Sequence, residues 1–243
     1  MTAPVFLVDE VTSGTVVLKG SEGRHAVSVR RLRVGEEIVL TDGSGAGAHG
    51  TVAAVEGKDT LYVEVAEVRT EPAAEPRITV VQALPKGDRG EVAVETMTET
   101  GVDAVVPWQA ARCVTQWKAE RGAKSLAKWR ATAREAGKQS RRLRFPGIAD
   151  AATTKQVAAL LADADFAAVL HEEGSAPLAS APLPATGSIV LVVGPEGGVS
   201  PEELSAFGAA GARPYRLGSS VLRTSTAGTA ATALLLGRTG RWG

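Results

Sequence analysis

The sequence predicts an α/β protein in which a small β domain precedes a larger domain built on a parallel sheet. Up to about residue 70, short segments rich in β-branched residues alternate with turns of Gly, Asp and Ser, which is typical of a small barrel. After residue 77, near-continuous apolar segments alternate with segments of helical pattern. That alternation is typical of a parallel sheet covered on both faces.

The N-terminal region contains four candidate strands, which read GTVVL, EEIVL, GTVAAV and LYVEVAEV. Between the first two strands, the segment SEGRHAVSVRRLRVG has a more helical pattern and carries four arginines. The following stretch from Thr70 to Pro76 contains two prolines and no apolar periodicity, so it is predicted to be a linker. The domains expected on either side are residues 1–72 and 77–243.

The second region opens with a β-α-β unit, in which the strand ITVVQALP, the turn KGDRG, the helix EVAVETMTETG and the strand VDAVVPW follow one another. Helices are predicted at about 125–140 and at 153–163. The strands FAAVLHE and SIVLVVG, the helix PEELSAFGAAG and the strand ARPYRLG complete the sheet. A last helix at 223–236 has no charge after its first residue, so we expect it to be buried on nearly all sides.

Composition and charge exclude several classes of protein. The chain has 243 residues, 44% of them hydrophobic, and a formal net charge of zero. Its single cysteine, Cys113, excludes an internal disulfide and a cysteine-based metal site, and we expect no metal. The opening residues do not have the pattern of a signal peptide, and no run of eighteen apolar residues occurs. These features predict a cytoplasmic protein that does not cross a membrane.

The neutral total hides a basic segment. Residues 110–147 hold 11 Lys and Arg but only 2 Asp and Glu, whereas the rest of the chain is acidic. A block of this kind can contact the phosphates of a nucleic acid, although it can also be a solvated helix face. Trp117 and Trp129 lie within the block and favour an RNA-docking face. Trp108 and Trp117 could equally belong to the core.

Two Gly-rich turns near the C-terminus carry the chemical signal. In VVGPEGGVSPEE, Ser200 is placed to cap a helix, with Pro201 at its first position and Glu203 completing a capping box. In LGSSVLRTSTA, Arg223 stands at the mouth of a helix of small residues, where it could meet a ligand or a phosphate. Each turn follows a predicted strand, and ligands bind beyond the carboxyl ends of parallel strands. Either turn alone could be an ordinary connection between a strand and a helix.

Together, the order and spacing of the two turns resemble the SPOUT methyltransferases, and within them the ribosomal RNA small subunit methyltransferase E family. HAVSVRRLRVGEEIVLTDGSG resembles the N-terminal RNA-binding domain of that family, and QALPKGDRGEVAVETMTETGVDAVVPWQAARCV its first β-α-β unit. KWRATAREAGKQSRR resembles its basic helix. The resemblance covers nearly the whole chain. It implies a PUA-like barrel followed by a parallel-sheet domain with a deep trefoil knot.

The resemblance also implies an activity and its partners. Members of the family use S-adenosyl-L-methionine to methylate N3 of a uridine in 16S rRNA. The resemblance therefore implies the small ribosomal subunit as a partner, and it also implies a second copy of the chain. Catalytic roles fall on Arg223 and Thr224. The implied cofactor-binding residues are Leu170, His171, Glu172, Gly194, Glu196, Gly197, Gly198, Leu217, Gly218, Ser220, Val221, Leu222 and Thr226. The implied RNA contacts are His25, Arg30, Arg31, Arg134, Arg141 and Arg142.

The chain departs from the family pattern at several positions. Its opening residues MTAPVFLV lack the arginine that the family often has near the target RNA. Thr100 replaces a leucine, and Lys138 stands where an acidic residue is common. The missing N-terminal arginine weakens any assignment of a catalytic arginine there, and leaves Arg223 as the candidate.

The chemistry of the reaction constrains the site. N3 of uracil is a weak acid, so methyl transfer requires that its proton be removed or that the developing anion be stabilised. Arg223 could stabilise an anionic O2 or O4 of the base. No residue is evident as the general base from sequence, because a lone histidine at a strand end, such as His171, is more often structural.

The sequence leaves three other hypotheses about function to be compared. A 2′-O-ribose methyltransferase would show Ser-Leu-Asn in the last motif, where this chain has Ser-Val-Leu-Arg-Thr. A non-catalytic RNA-binding assembly factor would have no need of intact cofactor loops. A nucleotide-dependent oxidoreductase would need a phosphate-binding turn after the first strand of the sheet, and KGDRG lacks the required glycines and spacing.

Overall fold

The computed structural model describes residues 3–243 and divides into two compact units. The first unit comprises the residues up to Ala73 together with Gly137–Phe145, and the second comprises Ala74–Ala136 and Pro146–Gly243. The segment Gly137–Phe145 therefore belongs with the first unit, whereas the sequence pattern predicts it in the second domain.

The first unit contains a six-stranded sheet in the order β1-β3-β4-β5-β2, with β6 paired to β4. Its strands are β1 (Val5–Leu7), β2 (Gly14–Leu18), β3 (Glu37–Thr41), β4 (Ala46–Glu56), β5 (Thr60–Val65) and β6 (Arg69–Thr70). The pairing of β1 with β3 is parallel and the other pairings are antiparallel. Helix α1 (Gly20–Arg24) runs directly into a π-helical turn, His25–Val29, so the predicted helix ends before the arginines that follow it.

Alternation along these strands builds the core of the first unit. Phe6, Ile38, Leu40 and Leu61 are fully buried because alternate side chains of each strand point to the same face. The segment 137–145 attaches to this unit by main-chain and side-chain contacts. The Thr41 hydroxyl donates to the Leu143 carbonyl (2.9 Å) and the Phe145 amide to the Gly43 carbonyl (2.8 Å). Lys138 forms a largely buried ion pair with Glu22 (Nζ to Oε1, 2.8 Å).

The second unit is built on a seven-stranded sheet in the order β11-β13-β10-β12-β7-β8-β9. All of its pairings are parallel, as the sequence predicts. Its strands are β7 (Arg77–Ala83), β8 (Ala104–Trp108), β9 (Gly147–Ile148), β10 (Phe166–Leu170), β11 (Ala176–Pro177), β12 (Ser188–Val193) and β13 (Arg213–Arg216). The two-residue strands β9 and β11 were not predicted, because segments so short carry no periodicity.

The remaining helices belong to the second unit, except for the last residues of α3. They are α2 (Arg89–Thr100), α3 (Ala119–Gln139), α4 (Thr154–Ala162), α5 (Pro201–Ala209) and α6 (Thr224–Arg238). Gly101 ends α2 in the left-handed conformation, with φ of 119°. The capping box of Ser200 and Glu203 is present at the start of α5, as predicted. None of the helices in residues 3–243 is long and apolar enough to span a bilayer.

Helix α6 buries one face instead of its whole circumference. Gly228, Ala231, Leu235 and Leu236 are buried against the core, whereas Thr226 is exposed. Within a single chain, α6 is therefore not buried on nearly all sides. Small uncharged residues allow close approach to the sheet, but they do not require that every side of the helix be covered.

Candidate active site

Three loops in the second unit enclose a cavity of about 780 Å³. They follow the carboxyl ends of β10, β12 and β13, which are neighbours in the sheet, so the loops emerge at the same edge. This volume is within the range of pockets that hold a small-molecule ligand.

The first loop follows β10 and presents His171, Glu172 and Glu173 to the cavity. The His171 amide donates to the carbonyl of Tyr215 on β13 (3.0 Å), which ties the loop to the adjacent strand. The imidazole Nδ1 accepts a hydrogen bond from the Glu173 amide (3.2 Å). The side chain of His171 is half-buried, and the two glutamates are exposed.

The second loop follows β12 and is a tight turn that the Gly198 amide closes by donating to the Pro195 carbonyl (2.9 Å). Gly198 has φ of 74°, a conformation that residues with a side chain rarely adopt. The Glu196 carboxylate accepts from the amide of Lys86 (3.2 Å). That carboxylate also lies 3.7 Å from a guanidinium nitrogen of Arg89. The KGDRG turn predicted from sequence therefore fastens this loop.

A second support for the same loop comes from the segment after β8. The Arg112 guanidinium donates to the Gly197 carbonyl (3.2 Å), and both residues line the cavity. A β-carbon at Gly197 would lie 3.1 Å from Cβ of Arg112, so the absence of a side chain lets the arginine lie across the turn. The contributions of Arg89 and Arg112 to this loop were not predicted from the sequence. For Arg89 the signal was available in the polar turn after the first strand of the sheet.

The third loop runs from β13 to α6. Val221 and Leu222 are 76% and 40% exposed, which is unusual for apolar residues and leaves them available at the cavity. Arg223 occupies the N-cap position of α6, with its side chain exposed. Thr224 is buried, and its hydroxyl donates to the Gly194 carbonyl (2.8 Å) while accepting from Nε2 of Gln82 (3.0 Å).

The structure brings together nearly all of the residues predicted for catalysis and for cofactor binding. The predicted residues that line the cavity are Leu170, His171, Glu172, Gly194, Glu196, Gly197, Gly198, Leu217, Gly218, Ser220, Val221, Leu222, Arg223 and Thr224. Thr226 does not line it. That side chain is exposed and its hydroxyl donates to the Arg223 carbonyl (3.2 Å), so its contact with the cofactor stays a prediction.

The predicted RNA contacts fall in both units. His25, Arg30, Arg31, Arg141 and Arg142 belong to the first unit, and Arg134 belongs to the second. The side chains of Arg30, Arg31, Arg134 and Arg141 are exposed. His25 is half-buried and meets the ring of Phe6 edge-on, with 5.6 Å between ring centroids.

The tryptophans of the basic segment are packing residues. Trp129 is only 2% exposed and lies edge-on to Trp117, with 5.0 Å between ring centroids. Trp108 is fully buried against Phe207. Trp129 is therefore not available for base stacking, and its predicted place on an RNA-docking face is wrong. In the part of the chain that the structure describes, no group of three or more His, Cys, Asp or Glu is placed to hold a metal ion.

Comparison with known proteins identifies the family. A model of an RNA methyltransferase domain matches residues 73–236, and a model of an RNA methyltransferase PUA domain matches residues 18–66. Ribosomal RNA small subunit methyltransferase E of Mycobacterium bovis is 44% identical over 248 residues, covering 100% of this chain and 94% of the relative. The chain belongs to the ribosomal RNA small subunit methyltransferase E family.

Other members of the family support the same conclusion. The enzyme of the same name from Bacillus subtilis is 31% identical, covering 88% of this chain and 86% of the relative. The crystal structure of the Neisseria gonorrhoeae enzyme bound to S-adenosyl methionine matches with a TM-score of 0.86 and 30% identity, covering 98% of each chain. The family and the PUA domain expected from sequence are both confirmed.

Proposed function

We propose that this chain transfers a methyl group from S-adenosyl-L-methionine to N3 of one uridine in 16S rRNA, within the assembled small ribosomal subunit. The observation that carries the proposal is the convergence of three loops, from neighbouring parallel strands, on one cavity that Arg223 also lines. In addition, the solved relative from Neisseria gonorrhoeae binds S-adenosyl methionine. Because the substrate is ribosomal, we expect the reaction to take place in the cytoplasm.

The residues present at the cavity suit this cofactor. A β-carbon at Gly218 would meet no atom within 4 Å, so the glycine leaves open space beside the main chain of the third loop. Leu170, Leu217 and Leu222 offer apolar surface for an adenine ring. The carboxylates of the first and second loops offer negative charge to a cationic ligand. Main-chain groups and leucines of the three loops would therefore hold the cofactor.

When bound, the cofactor supplies an electrophilic methyl group on a positively charged sulfur. The task left to the protein is to orient the uracil and to stabilise the charge that develops on it. Arg223 is placed for this role because its guanidinium is permanently charged and exposed at the cavity. Its hydrogen bonds to O2 or O4 of the uracil would favour loss of the N3 proton.

Two other side chains at the cavity have more restricted roles. The Thr224 hydroxyl has one proton, which it donates to the Gly194 carbonyl, so Thr224 acts by holding the loops in position. His171 accepts a hydrogen bond at Nδ1, so the neutral ring carries its proton on Nε2. In that form Nε2 of His171 can donate a hydrogen bond but cannot accept a proton. This arrangement favours deprotonation of N3 by a group other than His171.

We assign residues 1–72 to RNA binding, as a PUA-like barrel, and residues 77–243 to catalysis, as a domain with a C-terminal trefoil knot. The strand order β11-β13-β10-β12 supports the knot, because the chain returns to place β13 between strands formed earlier. The exposed arginines Arg30, Arg31, Arg134 and Arg141 support phosphate contacts, and we also assign RNA contacts to His25 and Arg142.

We further propose that the chain is a homodimer, with α6 at the subunit interface. Ala230, Ala233 and Leu234 are only half-buried on the uncharged helix, which leaves apolar surface for a second copy. Sedimentation at low micromolar concentration should give the mass of two chains. A monomeric mass at that concentration would contradict this proposal.

The reaction itself is tested with unmodified 30S subunits and methyl-labelled cofactor, followed by mass spectrometry of the nucleosides from 16S rRNA. The expected product is 3-methyluridine at one position, with deproteinised 16S rRNA as the comparison that separates free from assembled substrate. A 2′-O-methylated nucleoside would overturn the choice of acceptor atom. Binding of the cofactor without any methylated product would favour an RNA-binding assembly factor.

A further inference from the structure

A fully buried glutamine lies in the middle of the parallel sheet of the second unit. Gln82 lies on β7, whose neighbours in the sheet are β12 and β8, and its side chain is fully buried. The rest of the strand segment Ile78–Ala83 is apolar apart from Thr79. A buried amide is tolerated where its hydrogen bonds are made, so the partners of Gln82 indicate its role.

The amide nitrogen of Gln82 is the first donor in a chain of hydrogen bonds from Gln82 through Thr224 to Gly194, here called the relay. Nε2 donates to the Ala83 carbonyl (3.1 Å) and to the Thr224 hydroxyl (3.0 Å), and Thr224 donates in turn to the Gly194 carbonyl (2.8 Å). Because a carbonyl can only accept, the single hydroxyl proton of Thr224 is committed to Gly194. The hydroxyl can therefore only accept from Gln82, and the direction of the relay is determined.

The amide oxygen of Gln82 lowers the stability of the folded chain, because it is buried without a hydrogen bond to any described residue. Oε1 of Gln82 is buried and has no hydrogen-bond partner among the described residues. It faces α6, because a β-carbon at Gly228 would lie 3.5 Å from it. An apolar side chain of similar size would avoid the unpaired oxygen. The presence of an amide here is explained by the donor that it provides to Thr224.

The relay connects a central strand to two loops of the cavity. Gly194 begins the second loop, and Thr224 directly follows Arg223 at the start of α6. We propose that Gln82 is a positioning residue for methyl transfer. Through its hydrogen bond to Thr224, it fixes the position of the second loop relative to Arg223. Gln82 does not itself line the cavity. This inference depends on the proposed function for its kinetic consequence, but not for its structural one.

The structural consequence is tested by hydrogen exchange without cofactor or RNA. Gln82→Met removes the donor and the unpaired oxygen together, and keeps the length of the side chain. Amides of Gly198 and Thr226, which close the turns beside the relay, should exchange at least about fivefold faster in this variant. Gln109→Met is the matched control, because Gln109 is exposed and does not line the cavity. Unchanged exchange at both amides in Gln82→Met would overturn the relay.

The kinetic consequence is tested with 30S subunits. Gln82→Met should lower kcat by about tenfold and leave KM for the subunit within about threefold, because misplacement of a catalytic group affects turnover more than docking. A merely structural role would lower the melting temperature without this separation of kcat from KM. Thr224→Val should have a similar effect, and Thr224→Ser, which keeps the hydroxyl, should restore turnover.

The double variant decides whether the two residues act as a unit. Gln82→Met combined with Thr224→Val should be no slower than the slower single variant, because the relay is already broken. Additive losses would show that Gln82 acts independently of Thr224 and would overturn the inference. If the wild-type chain fails to methylate 30S subunits, the proposed function is wrong. The hydrogen-exchange experiment still tests the relay in that case, because it needs neither cofactor nor RNA.

Discussion

The guanidinium of Arg241 makes a two-point ion pair with the carboxylate of Asp103, at 2.5 and 3.1 Å, although 138 residues separate them in sequence. The side chains are only 13% and 10% exposed. The Asp103 carboxylate also accepts from the amide of Ile78, the second residue of β7 (2.7 Å). The C-terminus of the chain is thereby fastened to the start of the central strands.

Arg241→Ala should therefore lower the free energy of unfolding by about 3 kcal/mol, because it leaves a largely buried carboxylate without its partner. Chemical denaturation followed by circular dichroism measures this change. Lys124→Ala is the control, since the pair of Lys124 with Glu120 is 76% and 82% exposed and should contribute little. Equal effects of the two substitutions would show that burial of the Asp103 pair does not strengthen it.

Arg223→Ala should reduce kcat for methylation of 30S subunits by about 100-fold or more, because a charge that stabilises the developing anion is lost. Affinity for S-adenosyl-L-methionine, measured by calorimetry, should change little. Arg213→Ala on β13 is the matched control, because Arg213 is exposed and does not line the cavity. Normal turnover by Arg223→Ala would remove Arg223 from the mechanism.

Two glycine substitutions should have opposite effects on stability. Gly198→Ala forces a side chain into a left-handed conformation at a cost of about 1–2 kcal/mol, and should weaken cofactor binding by distorting the second loop. Gly208→Ala lies within α5, where an added methyl group meets no atom within 4 Å, and should stabilise the chain by about 0.5–1 kcal/mol. Calorimetry with cofactor and thermal denaturation measure the two effects. Wild-type cofactor affinity in Gly198→Ala would argue against a role for this turn in binding.

Asp165 should make the stability of the second unit depend on pH. The amide of Ser188 donates to its carboxylate (2.8 Å), as does the Ser188 hydroxyl (3.0 Å), and these hydrogen bonds hold the pKa of Asp165 below its usual range. A carboxyl group whose pKa is lowered by folding stabilises the folded chain above its ordinary pKa of about 3.9. That contribution is lost as the pH falls through the folded pKa.

The measurement compares denaturation midpoints of the wild type and Asp165→Ala between pH 7 and pH 3. The difference should be constant near neutral pH and should shrink as the pH falls below about 4. Asp163→Ala, an exposed substitution at the end of α4, corrects for the general effect of removing one negative charge. A difference that grows toward acid pH would contradict the assigned hydrogen bonds.

Local patterns were sufficient for most of the secondary structure. Ser200 and Glu203 predicted the start of α5 because capping depends on residues three apart, and the structure confirms it. The same local reasoning could have placed Trp129 correctly. Trp129, Ala133 and Ala136 are spaced four and three residues apart, so they share a face of α3, and that face is buried.

The direction of a side chain is a second feature that the motif alone does not predict. Thr226 follows Thr224 by two positions, which is about 200° around a helix, so the two side chains point to nearly opposite sides of α6. Thr224 is turned toward Gly194 and Thr226 toward solvent. The spacing within the motif therefore does not predict that both side chains face the same cavity.

By itself the sequence determined the order of the longer strands and helices and the two Gly-rich turns, because each of these depends on residues that are close along the chain. The order of several such segments indicated the family. Only the tertiary structure decided that Arg89 and Arg112 support the second loop and that Gln82 reaches Thr224, 142 residues away. It also decided that residues 137–145 join the first unit. Such contacts depend on which strands become neighbours in the sheet. That pairing is set by the packing of the whole core, and no local pattern encodes it.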